Sequence, residues 1–301
     1  MKNGFLRLLL IAFVVLLTSC EKTLMEDGAD NGSTDGANVV LNLSIFEQVP
    51  FGTRSVQDIT ALCSRLNVAF FQDGTKVKTV SQKAGDSTFG TVGVTLEEGT
   101  YQLVVIAHSS DGSATISSEE KVTFPSNLVT DVFYYYGSLN VSSTQTTYNL
   151  QLQRAVAMFR LELASNLPAN AAKIRFYYTG GSSTFSPYAG YGCVNSRQTV
   201  MMNVASGQRV FEVFTFPHAE TDELKMVITV YDSDDNILKE QTFENVPVTR
   251  NKITLYKGDF GGGGGTSGGG GGGSGGGGGT TNNGLSMKAE SEWAGTDSYT
   301  F

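Results

Sequence analysis

His108 and His218 are the whole imidazole supply of this 301-residue chain, and they raise the question of catalysis. His108 ends an apolar run, "YQLVVIAH", and His218 follows Pro217 in a turn-like segment. A metal centre or hydrolytic site needs a third ligand or an oriented nucleophile beside such a histidine. Neither neighbourhood supplies one, so both histidines read as structural or surface residues. The serines of "GGSSTF" from Gly180 lack the Gly-x-Ser-x-Gly elbow that presents a nucleophile, which leaves a loop. Asp232, Asp234 and Asn236 have the odd spacing of a calcium loop. Ile237, however, stands where that loop turns on glycine, and Phe243 where it needs a bidentate glutamate. A hairpin turn explains the same residues. Tyr134, Tyr135 and Tyr136 offer rings for stacking on sugars or for cross-strand packing. The chain therefore reads as a non-enzyme with no cofactor and no metal.

The elements that hold these residues are almost all strands. "VVLNLSIF", "RLNVAFF", "TVGVTL", "YQLVVIAH", "AVAMFRLELA", "KIRFYY", "RVFEVFTF", "LKMVITVYD" and "NKITLYKG" alternate or form short apolar runs. Turn residues separate them, among them Asp73-Gly74, Glu98-Gly99, Gly180-Gly181 and Asp234-Asp235-Asn236. No stretch carries a helical stripe. Many short strands with turns about every ten residues predict an all-β chain built from β-sandwiches. Residues 39–260 are long enough for two domains of about 110 residues each. The polar "STQTTYN" places the boundary near Gln145 to Asn149, giving 39–148 and 149–260.

The N-terminus sets the compartment. "MKNGFLRLLLIAFVVLLTSC" puts Lys2 and Arg7 ahead of an apolar core that is too short to span a membrane. Residues 1–19 read as an export signal. Leu17-Thr18-Ser19-Cys20 resembles the lipobox of bacterial lipoproteins, which are cut before a cysteine that is then acylated. Cys20 is thus the predicted lipidation site and membrane attachment, with no transmembrane helix. Residues 20–38 are polar and rich in Gly, Asp and Ser, the composition of a stalk. The net charge of −8 becomes two units more acidic once Lys2 and Arg7 are removed, which excludes a nucleic-acid partner and an anionic lipid surface. Cys63 and Cys193 remain, either as a pair in an oxidising envelope or as two buried thiols.

At the other end, residues 261–283 are a glycine-rich linker, and a tail at 284–301 follows it. Leu285, Met287, Ala289 and Trp293 fall on one parity with polar residues between them, and Tyr299 and Phe301 return to it. That is the pattern of a strand with one buried face, and such a strand needs a sheet edge to complete it. The tail is a candidate donor strand. A linker of this length spans only roughly 25 Å on average, which also favours closure of the tail on its own chain.

Several segments together carry a family resemblance: "RLNVAFFQDGTKV" from Arg65, "FGTVGVTLEEGTYQLVVIAHSS" from Phe89, "TDVFYYYG" from Thr130, "QRAVAMFRLEL" from Gln153, "YYTGGSSTFSPYAGYGCVNSRQ" from Tyr177 and "NKITLYKGDF" from Asn251. In their order and spacing they are similar to the fimbrillin-type lipoproteins of Bacteroidetes (type V pili), and within these to minor subunits related to the pilus anchor. The resemblance implies two tandem transthyretin-like β-sandwich domains, with other fimbrial subunits as partners. It also implies a lipoprotein of the outer membrane and cell surface, located in a fimbrium, and acidic residues after Cys20 resemble a surface-export tag. In the family, an arginine-specific protease cuts stalk subunits after the first strand, and a neighbour's strand fills the groove. Val39, Leu41, Leu43 and Ile45 match a displaceable first strand, and Arg54, in "EQVPFGTRSVQ", is the candidate cleavage site or else an ordinary loop arginine. The alternative is a lipid-anchored surface module that binds a glycan or protein without polymerising, through Tyr134, Tyr135 and Tyr136 or through "GGSSTFSPYAGYG".

Overall fold

The computed structural model describes residues 31–46, 56–144, 146–260, 286–287 and 293–301, and its strands follow the alternation in the sequence. In β1 (Val39–Phe46) the side chains of Val39, Leu41 and Leu43 are buried, with exposed Asn42 between them. This is the two-residue period of a strand with one core face. The rest of the N-terminal half comprises β2 (Val56–Asp58), a helical turn α1 (Ile59–Leu62), β3 (Arg65–Gln72), β4 (Thr75–Lys83), β5 (Thr91–Val94), β6 (Gly99–His108), β7 (Thr115–Ser118), β8 (Lys121–Thr123), β9 (Phe133–Val141) and β10 (Thr146–Arg154). The second half contains β11 (Ala157–Leu163), β12 (Lys173–Thr179), β13 (Thr184–Ser186), β14 (Tyr191–Gly192), β15 (Gln198–Asn203), β16 (Val210–Thr215), β17 (Thr221–Tyr231), β18 (Ile237–Thr249) and β19 (Ile253–Gly258). The tail adds β20 (Ser286–Met287) and β21 (Thr296–Thr300). Among the described residues no helix is long and apolar enough to cross a membrane.

One sheet runs β2-β1-β10-β9-β6-β3-β4, with β5 also on β1. Its inner face buries Leu66, Val68 and Phe70 of β3, Leu103 and Val105 of β6, and Leu150 and Leu152 of β10 against β1. The opposite faces of β3 and β6 are buried as well, through Ala69, Phe71, Val104 and Ile106. That double burial is why "VAFF" and "VVIA" read as continuous apolar runs rather than alternating ones. Their cover comes from Val122 and Phe124 of the same half and from Phe185, Phe216 and Ile253 of the other. A small sheet, β14-β13-β8-β7, crosses between the halves and pairs Phe185 with Val122. The C-terminal core lies between the sheets β16-β11-β19-β21-β20 and β15-β12-β17-β18, around Phe159, Phe176, Phe211 and Met226. Pro247 sits in β18, an edge strand, where a missing donor breaks no inner ladder.

In each half the first strand lies parallel to the last: β1 to β10, and β11 to β19. The segment beginning at Thr146, expected to open the second domain, is β10, which lies in the first sheet. The chain changes sheet after Arg154. Polar residues at 146–149 mark the exposed start of this strand rather than a linker. The other turns follow the sequence reading. Asp73 and Gly74 both take positive φ (51° and 74°), the backbone of a tight hairpin between β3 and β4.

Candidate functional site

The tail docks on its own chain. β21 adds in parallel to β19, with Ile253 opposite Thr296 and Lys257 opposite Thr300, and β20 pairs with β21. Hydrogen bonds lead the chain in: Ala294 N–H donates to the Asn251 carbonyl (2.8 Å), and Ile253 N–H to the Gly295 carbonyl (2.9 Å). At the far end Phe301 N–H donates to the Lys257 carbonyl (3.1 Å). A Cβ on Gly258 would lie 2.2 Å from the Phe301 carbonyl oxygen, so only glycine admits the tail there.

Three predicted donor residues take part in this seat. Trp293 is buried, stacked on Phe214 with ring centroids 6.3 Å apart, and its ring lies under the Arg154 guanidinium at 3.9 Å. Tyr299 packs on Tyr256 (4.9 Å), and Phe301 meets Phe243 edge-on (5.0 Å). Met287 pairs through its backbone with Asp297. Leu285 and Ala289 lie outside the described residues. The opposite face of β21 departs from the expected one-sided pattern. Thr296 and Ser298 are also buried, and their hydroxyls find no partner among the described residues. Small polar residues give no apolar signal, so the alternation could not reveal that second buried face.

Arg154, which the sequence did not single out, anchors the Trp293 seat. It is 4% exposed, donates two parallel hydrogen bonds to Asp131 (2.8 and 3.0 Å) and reaches Asn251 Oδ1 at 3.2 Å. Bidentate pairing satisfies the buried guanidinium while its planar face stays free for aromatic contact.

The candidate first strand, β1, is hydrogen-bonded along both sides. β10 covers one side from Val39 to Ile45; β5 covers the other at residues 39–42 and β2 at 44–46. Val39, Leu41 and Leu43 project into the core, and the side chain of Ile45 lies outside the described residues. Cys20 and Arg54 also lie outside them, as do the signal, most of the stalk and the glycine-rich linker.

Both sugar-facing candidates meet in one place. The β9–β10 ladder joins only Gln153 to Tyr134 and Arg154 to Phe133. Beyond it a cleft of about 280 Å³ opens, lined by Tyr134, Tyr135, Tyr136, Gln151 and Gln153 and closed by the 187–190 loop. Tyr136 and Tyr188 stand edge to face, 5.8 Å apart. Glu119 holds both: its carboxylate accepts the Tyr136 hydroxyl (2.6 Å), and its carbonyl accepts Tyr188 N–H (3.0 Å). Burial, reinforced by this carboxylate, pushes the Tyr136 phenol up to about 12, so it stays a proton donor. Gly190, at φ 77°, lets the loop pass where a Cβ would lie 2.7 Å from the Tyr134 hydroxyl.

The remaining chemistry-bearing residues have structural partners. His108 is fully buried; its Nδ1 accepts Ser110 N–H (3.1 Å), which leaves Nε2–H to donate to Asn67 Oδ1 (3.1 Å). Burial, aided by the nearby Arg65 charge, lowers its pKa to about 4. His218 pairs with Asp222 at 2.7 Å in a turn. Ser182 is buried and bonded to the backbone of Thr184 and Val194. Asp232 Oδ1 accepts the Asp234 and Asn236 amides (2.9 Å each), the hairpin turn between β17 and β18. Among the described residues no cluster of His, Cys, Asp or Glu could hold a metal ion. Cys63 and Cys193 are both free thiols, the first buried and the second exposed, so they form neither a disulfide nor a buried pair.

A family model described as fimbrillin-A associated anchor proteins Mfa1 and Mfa2 matches residues 52–259. The chain belongs to this family. Among solved structures, this Mfa-family chain is similar to the fimbrial anchor protein Mfa2 from Porphyromonas gingivalis, at 11% identity over 67% of this chain and 80% of that one (TM-score 0.39). It is similar to a fimbrial assembly protein from Parabacteroides distasonis, at 14% identity over 72% and 89% (TM-score 0.36). It is also similar to the tip fimbrial protein Mfa3 from Porphyromonas gingivalis, at 10% identity over 72% and 94% (TM-score 0.38). Comparison with curated proteins found no match. As an Mfa-family member the chain is a fimbrial anchor or accessory protein of a non-enzymatic family. Its family places it at the cell surface or fimbrium, with other fimbrial subunits as partners.

Proposed function

We propose that the protein is an anchor or minor fimbrial subunit, held in the outer membrane by lipid on Cys20, that joins a neighbouring subunit by β-strand addition. In this reading the chain forms two tandem transthyretin-like sandwiches that meet after Arg154, where the chain leaves the first sheet, and residues 284–301 are the donor. The observation that carries it is the seating of β21 as an added strand on β19, with Trp293, Tyr299 and Phe301 as its anchors. Backbone pairing supplies affinity in strand addition, and side chains in pockets supply specificity. Two buried hydroxyls that find no partner among the described residues, on Thr296 and Ser298, weaken the seat, each by roughly 1–3 kcal/mol. A neighbour's groove then competes with the tail's own. β1, bonded on both sides, stays in place, which favours a terminal or anchoring position over a stalk position.

The test mixes the mature, non-lipidated chain with a fimbrial subunit whose first strand has been removed by an arginine-specific protease, and follows the size of the mixture by light scattering. A complex that forms with the full chain and is lost on deleting residues 284–301 is the expected result. A complex of equal strength without the tail, or none with either chain, overturns the reading.

A further inference from the structure

We propose that the cleft between β9, β10 and the 187–190 loop is a binding site for a neutral hexopyranosyl unit of a glycan. This site is separate from the strand-addition seat.

The alternation of two strands builds its walls. Leu150 and Leu152 of β10 face the core, which leaves Gln151 and Gln153 exposed on the other side. In β9, Phe133 and Tyr135 pack toward the same core, so Tyr134 and Tyr136 take the opposite face, where Tyr134 is buried against Phe185 and Tyr136 is half-buried at the edge of the second core. The ladder between these strands stops after Tyr134 opposite Gln153, and beyond that point Tyr134, Tyr136 and the two exposed glutamines border an open cleft. The loop bearing Tyr188 closes it from a distant part of the chain, beyond both strands.

Tyr188 is 65% exposed. Apart from its edge-to-face contact with Tyr136, most of this ring is open to solvent. The loop backbone and the neighbouring Tyr136 ring are nonetheless held in place, since Glu119 binds the Tyr188 N–H through its carbonyl and the Tyr136 hydroxyl through its carboxylate. Such preorganisation lowers the entropy lost when a ligand binds.

The lining decides the ligand. Ring faces accept the C–H face of a pyranose, and the two glutamine amides each donate and accept, as sugar hydroxyls require. Among the described residues lining the cleft none is charged; Glu119 and Arg250 reach it only through the hydroxyls of Tyr136 and Tyr134, and the acidic chain repels anionic glycans. At about 280 Å³ the cleft lies near the small end of the ~300–1,000 Å³ range of ligand sites, a size for one or two sugar rings.

Saturation-transfer NMR on the full mature, non-lipidated chain, with lactose, maltose, cellobiose and N-acetyllactosamine as probes, tests the site. A proline-rich peptide serves as the competing ligand class. Binding of at least one sugar is expected, weakened about tenfold or more by Tyr188→Ala, as for loss of a stacked ring, and retained by Tyr188→Trp. Because Tyr188 is exposed, its removal leaves folding intact and tail-dependent subunit association unchanged. Absence of sugar binding overturns the proposal, as does a sugar signal indifferent to Tyr188→Ala. Capture of the proline-rich peptide in the cleft in place of sugar also overturns it, in favour of polyproline recognition.

Discussion

The Arg154 guanidinium lies 3.9 Å from the Trp293 ring centroid, with the Phe133 ring 4.6 Å from the same guanidinium. One buried cation thus links the strand that ends the first sheet to the tail. Trp293 is the only tryptophan in the protein, so its fluorescence reports tail docking without a label. Native protein is expected to emit at short wavelength and to shift red when the tail leaves. Trp293→Ala removes the ring and its contacts, a loss on the scale of ~3–5 kcal/mol for a buried tryptophan. The undocked tail then becomes the first site cut by limited proteolysis, read by mass spectrometry.

Thr296 and Ser298 should respond in the opposite direction. Their buried hydroxyls find no partner among the described residues, and removing an unsatisfied buried group relieves its desolvation cost. Thr296→Val keeps the shape and is expected to strengthen the seat by roughly 1 kcal/mol. Amide exchange across residues 296–300 would slow accordingly. If tail release precedes subunit joining, the same variant joins a partner more slowly.

Gly258 gives a steric test of the same seat. A side chain there meets the Phe301 carbonyl at 2.2 Å, a distance that forces the tail terminus away. Gly258→Val should release Tyr299 and Phe301 from Tyr256 and Phe243 while leaving the β11–β19 ladder intact. Loss of exchange protection confined to 296–301 is the expected pattern; protection lost across β19 as well would mean that the tail and the last strand are one folding unit.

How much of this was legible in the sequence depended on whether a residue's surroundings lay near it in the chain. β1, β3, β6, β12 and β19 announce themselves because one or both faces are buried in long apolar patterns. β4 gives no clear strand signal because "TKVKTVSQK" interleaves polar residues on an exposed face, and the polar start of β10 reads as the opening of the second half although the strand lies in the first sheet. The tail's alternation identified Trp293, Tyr299 and Phe301, but the burial of Thr296 and Ser298 depends on what packs over β21. The cleft was legible only as two separate candidates, since Tyr136 and Tyr188 are brought together by Glu119 in a third segment. Arg154 carried no signal, because its partners Asp131, Asn251 and Trp293 come from three distant stretches.

His108 makes stability depend on pH. Its folded pKa of about 4, set by burial first and the Arg65 charge second, lies below the unfolded value of 6.5. Below pH 6.5 the unfolded chain takes up a proton that the native state refuses, so stability falls as pH drops toward 4 and levels off beneath it. Full contribution requires a pH above 6.5. The two pKa values correspond to roughly 3 kcal/mol lost across that window. Urea midpoints measured between pH 7 and 4 check this, and His108→Gln, which cannot titrate, should flatten the slope even if it lowers stability throughout.

The anchoring role makes a last demand, on β1. A strand released after a cut at Arg54 must break its ladder to β10 and its ladders to β5 and β2 together. It must also withdraw Val39, Leu41 and Leu43 from the core, at roughly 1.5–3 kcal/mol for each fully buried side chain. A backbone cut alone supplies none of this free energy. Treatment with an arginine-specific protease should therefore leave the N-terminal fragment bound under native conditions, so that it elutes with the body and separates only in denaturant. Spontaneous loss of residues 39–46 on cutting, followed by growth into polymers, would instead make β1 an exchangeable strand and the protein a stalk subunit.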